Sequence, residues 1–74
     1  MPDTIIDMDY VLVDFLNADQ LEVDDLIGID GEVVRILSIS PLRYGYAVTF
    51  ENEFGEKDVI DFNDDEQINL YVMQ

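Results

Sequence analysis

The sequence predicts an all-β fold, a small antiparallel barrel or sandwich of five or six short strands with a strand or helix at its N-terminal end. Three observations predict it. Asp30-Gly31 stands between two apolar runs, and this dipeptide favours two-residue hairpins because both positions tolerate positive φ. From Tyr44 the side chains alternate cleanly, with Tyr44, Tyr46, Val48 and Phe50 on one face and Gly45, Ala47, Thr49 and Glu51 on the other. The rest of the chain repeats one unit, a strand-length apolar segment closed by a turn signal.

Taken in order, Tyr10 to Phe15 reads as a strand, because Tyr-Val-Leu-Val has poor helix propensity. A helix is the alternative, since Ile5, Met8, Leu12, Phe15 and Leu16 lie near helical spacing. Asn17 to Leu21 reads as a short turn or a single helical turn that packs Leu21 and Val23 inward. Leu26 to Ile29 enters the Asp30-Gly31 turn, and Glu32 to Ser40 leaves it as a strand rich in Val and Ile. Pro41 ends that strand, having no N–H for a ladder. Asn52 to Gly55 is the next turn, Lys57 to Phe62 a strand, Asn63 to Glu66 a tight polar break, and Ile68 to Val72 a last alternating strand. Tyr46, Val48, Phe50, Ile60 and Leu70 are the expected core.

The chain has 74 residues, enough for one domain with one core. Eighteen Asp and Glu face three basic residues, giving a formal charge of −15. Nucleic-acid binding requires several phosphates to be neutralised, and Arg35, Arg43 and Lys57 are too few and too scattered for it. Anionic membranes are disfavoured by the same argument. The apolar fraction of 49% is too high for a disordered acidic tail. With no histidine and no cysteine, the common nucleophilic triads, disulfides and zinc ribbons fall away. Glycines 28, 31, 45 and 55 match no phosphate-binding fingerprint. Residues 1–10 lack a basic segment followed by a long apolar one, so the expectation is a cytoplasmic protein without a signal peptide.

The stretch Leu21 to Ile39 resembles the opening hairpin of small SH3-like barrels, in particular the KOW-type domain that begins elongation factor P. Val23, Asp25, Ile27, Gly31, Ile36 and Ile39 match that layout. Similar strings open many small proteins of bacteria and their phages. The resemblance covers about a quarter of the chain and implies a barrel hairpin, not an activity. Asp24 stands where the family has a glycine, and the loop Pro41 to Gly45 carries no lysine at the tip that is modified in the translation factor. That factor's role therefore does not transfer.

Candidate chemistry is sparse. Asp61, Asn63 and Asp65 supply oxygens at positions 1, 3 and 5 of a calcium loop, but Glu66 replaces the glycine at position 6 and Val72 the bidentate Glu at position 12. They are weak metal candidates, and Asp7-Met8-Asp9 has no recognisable scaffold. No carboxylate pair stands out as a catalytic dyad. Arg43 and Tyr44 form the loop with anchor chemistry for a protein interface, set against Tyr44 and Tyr46 simply continuing a core face. In the strand Glu32 to Ser40 both parities are apolar. Either a bulge shifts the register, or Val34 and Ile36 meet a second subunit in a homodimer.

The expectation is a non-enzymatic accessory protein without a cofactor, of a phage or bacterium, acting through contacts with another protein, a basic protein surface or itself. The runner-up is a DNA-mimic inhibitor of a nucleic-acid-binding enzyme. A compact chain of this length is about 29 Å across. B-DNA carries one charge per ~1.7 Å, or about 17 over that span, comparable with −15. Adaptation to high salt is a third explanation of the charge.

Overall fold

The computed structural model describes residues 10–73. They form β1 (Tyr10–Asn17), a 3-10 turn (Ala18–Gln20), β2 (Leu26–Ile29), β3 (Glu32–Pro41), β4 (Gly45–Glu51), β5 (Lys57–Asn63) and β6 (Gln67–Met73). All six strands lie in one antiparallel sheet of order β1-β6-β2-β3-β4-β5. The all-β expectation and its strand count hold. Among the described residues no ladder joins the edge strands β1 and β5, so the sheet is described as open in order. The N-terminal segment is a strand from Tyr10 onward; Ile5 and Met8 of the helical alternative, and Asp7 and Asp9, lie outside the described residues. No helix among the described residues is long and apolar enough to cross a membrane.

Backbone geometry explains the turns. Asp30 and Gly31 have φ of 53° and 82°, so both central positions of the β2–β3 hairpin are left-handed, as its two-residue turn requires. Asp24 has φ of 77°: where the resemblance calls for glycine, an aspartate adopts the conformation that glycine would supply. The Asp24 N–H donates to the Ile36 carbonyl at 2.9 Å, and the Ile36 N–H to the Asp25 carbonyl at 3.0 Å, tying this turn to β3. The turn leaves Val23 53% exposed, so only Leu21 of the expected inward pair is buried.

The puzzle of β3 is resolved by a bulge. The β3–β4 register runs Ile36↔Phe50, then Ser38↔Thr49 and Ile39↔Val48, leaving Leu37 without a partner. Inward positions therefore fall at 34 and 36 before the bulge and at 39 after it, which accounts for apolar residues on both parities. A second shift lies between Leu12 and Asp14 in β1.

The core is made by Ile27, Ile36 and Val48, each fully buried, with Ala18, Leu21, Val34, Phe62 and Ile68 around them. Of the expected core, Val48 is at its centre, whereas Tyr46, Phe50, Ile60 and Leu70 are half-buried and pack against it. Phe50 lines an open hollow of about 430 Å³ with Ile29 and Val34, which is why it is not fully enclosed.

Both sheet edges are blunted by side-chain oxygens. On β1 the Phe15 N–H donates to Asp14 Oδ1 at 2.8 Å and the Asn17 N–H to Gln20 Oε1 at 2.9 Å. On β5 the Val59 N–H donates to Asp58 Oδ1 at 2.8 Å and the Asn63 N–H to Glu66 Oε1 at 3.2 Å. Amides that a foreign strand would pair with are thereby occupied.

Candidate interaction surface

The residues singled out in the sequence do not share a site. Val34 and Ile36 are 3% and 0% exposed within the chain, so they are core residues and not part of an interaction surface. The bulge at Leu37, rather than a second subunit, accounts for the two-faced strand. Arg43 and Tyr44 lie exposed in the β3–β4 loop, with Tyr44 71% exposed; its core-face reading fails because β4 begins one residue later, at Gly45. Asp61 projects from β5, Asn63 ends that strand and Asp65 sits in the following turn, all exposed. Among the described residues no group of three metal-ligating side chains converges.

A different surface emerges from the register. β1 and β6 together carry one charged residue, Asp14, while every other carboxylate of residues 10–73 lies on other strands or turns. Cross-strand pairing places Leu12, Tyr71 and Leu26 in one row on the face away from the core, and that row continues into Arg35 and Glu51. Phe15 and Asn69 form the adjacent row, which leads to Gly28 and Val33. Tyr10 and Met73 extend the same face at its far end. Leu12 is 43% exposed, Phe15 56% and Met73 56%.

Gly28 shapes the middle of this face. A Cβ there would stand 2.9 Å from Tyr71 Cε2, so the tyrosine ring occupies space that any side chain at position 28 would fill. Beside it opens a hollow of about 220 Å³, with Gly28, Val33, Asn69 and Tyr71 forming the walls and Asp30 and Glu32 the rim. At the other end of the first row, Arg35 Nη2 pairs with Glu51 Oε1 at 3.2 Å. The face thus grades from apolar at β1 to ionic at β4.

Contiguous apolar surface rimmed by polar groups is the mark of a docking site more often than of random exposure. Phe54 and Tyr44, although more exposed, are isolated on turns. Sequence reasoning missed Leu12, Phe15, Tyr71 and Met73. Their signal was present in Tyr-Val-Leu-Val-Asp-Phe, apolar on both parities, and in the uncharged run Gln67 to Met73 of an otherwise acidic chain. No family model and no curated protein matches the chain.

Proposed function

We propose that this chain is a non-enzymatic accessory protein of the cytoplasm that acts by docking another protein on the outer face of β1, β6 and β2. The observation that carries the reading is the exposed set Leu12, Phe15 and Met73, with the half-buried Tyr71 among them, on two nearly uncharged strands of a chain of net charge −15. Selection for solubility alone would place carboxylates there as it does elsewhere. The full burial of Ile27, Ile36 and Val48 in a single sheet, together with the hairpin resemblance, supports a barrel of the SH3-like kind. Tagged wild-type protein and the double variant Leu12→Gln/Phe15→Ser, captured from extract of the source cells at two salt concentrations, test the reading. A partner retained by the wild type, lost from the variant and only weakly salt-sensitive is the expected result. Equal capture by both proteins refutes the assignment of the face.

A second reading, the DNA mimic, draws on the same segregation of charge, because carboxylates withdrawn from β1 and β6 are gathered on the rest of the surface. It predicts capture of nucleic-acid-binding proteins that is unaffected by Leu12→Gln/Phe15→Ser and abolished by salt.

A further inference from the structure

We infer that the partner segment received by this face carries an arginine or lysine beside apolar side chains, and that the cation seats in the hollow beside Gly28 and Tyr71. The inference rests on the docking reading above and specifies the chemistry of the occupant. Three features argue for it. The hollow, about 220 Å³ and open to solvent, is large enough to receive the end of one long side chain. Its lining includes Tyr71, an aromatic ring with a hydroxyl that can accept from a cation's N–H, and Gly28 and Val33, which suit an aliphatic stem. Its rim carries Asp30 and Glu32, so a cation entering the hollow meets opposite charge where an anion would be repelled.

Leu12 and Phe15 both lie on β1, across β6 from Gly28 on the same face, and take the apolar neighbours of that cation. A second copy of the chain fits poorly. It brings another −15, and the cations this face carries, Arg35 and Lys57, both flank Glu51, with Arg35 ion-paired to it. Lys57 continues that row past Glu51 at the start of β5, at the end far from Leu12, and Arg43 lies in the β3–β4 loop. A basic partner instead gains from the whole acidic surround, which also steers its approach.

The test uses the full chain and two end-capped nonapeptides of Ser, Gly, Val and Leu, one with a central arginine and its twin with the neutral isostere citrulline. Affinities are read from amide chemical-shift titrations. The arginine peptide is expected to bind at least tenfold tighter than its twin. Asp30→Asn/Glu32→Gln should erase that preference, while Asn-Gly keeps the hairpin turn intact. Asp64→Asn/Asp65→Asn, which removes the same charge elsewhere, should retain most of it, and Leu12→Gln should weaken both peptides. Equal binding of the twins, with both weakened by Leu12→Gln, overturns the cation while leaving the docking face standing. A preference lost equally in both charge variants overturns it too, since net charge alone is then read. Indifference to Leu12→Gln removes the docking face as well. A doubled mass that excludes peptide, or binding that appears only after residues 1–9 are deleted, assigns the face to a second copy or to the chain's own N-terminus and overturns the inference.

Discussion

Gly45→Ala should be among the most damaging small substitutions in this protein. A Cβ at position 45 would lie 1.8 Å from the Phe62 carbonyl oxygen and 2.9 Å from the Asn63 Cα, both fixed parts of β5. A tolerable contact needs at least 3.0 Å, so β4 and β5 must part by about an ångström. That separation breaks the Gly45↔Asn63 pairing and disturbs the bond from the Leu42 N–H to the Gly45 carbonyl, 2.7 Å long. Overpacking costs about 1–3 kcal/mol and each lost hydrogen bond about 1 kcal/mol, which together approach 4 kcal/mol. A domain of this size has a total stability of roughly 4–11 kcal/mol, so a large share is lost. Gly28→Ala is the matched control. Its nearest neighbour is the edge of the Tyr71 ring at 2.9 Å, a side chain that can turn aside, and about 1 kcal/mol is expected. Urea unfolding followed by far-UV circular dichroism measures both. Two variants within 1 kcal/mol of each other would refute the close approach of β4 and β5.

Asn52→Ala should cost about 2 kcal/mol, because its side chain accepts from the Phe54 and Glu56 N–H groups at 2.9 and 3.0 Å and donates to Glu56 Oε1 at 2.8 Å; chemical denaturation reads the loss. Asp24→Gly should be neutral or slightly stabilising and Asp24→Ala should cost about 1 kcal/mol, since φ of 77° disfavours a Cβ without a compensating polar group. Ile36→Ala, at a site of 0% exposure, should cost about 2–5 kcal/mol, and Phe50→Ala less than a fully enclosed phenylalanine would, because its ring borders an open hollow. Raising salt from a few millimolar to about half molar should raise the melting temperature by screening like charges, and a flat response in a thermal scan would contradict self-repulsion among them.

Much of the fold was legible because local chemistry and tertiary context agree. Asp30-Gly31 forces its turn whatever surrounds it, and Val48 alternates into the core of a strand that is paired on both sides. Legibility failed where spacing alone decides. A two-residue period assigns Val34 and Ile39 to opposite faces, and the unpaired Leu37 puts them on the same one, a shift that no residue type announces. The apolar excess of β3 looked like an interface for that reason. The exposed face was hidden by the converse problem. Leu12, Phe15 and Tyr71 belong to strands whose apolar side chains read as core, and the order β1-β6-β2, with β1 at an edge, reveals that one of their two faces has no element above it among the described residues. Strand order is a long-range property and is not written in strand periodicity.

Site-specific photo-crosslinking reads directly whether the β1–β6 face is where a partner sits. A benzophenone side chain is placed at Phe15, 56% exposed on that face, or at Phe54, 77% exposed on the β4–β5 turn, and each protein is irradiated in extract of the source cells. One discrete crosslinked partner is expected from position 15 and none from the more exposed position 54. Crosslinking from position 54 alone, or equally from both positions, would contradict docking on that face.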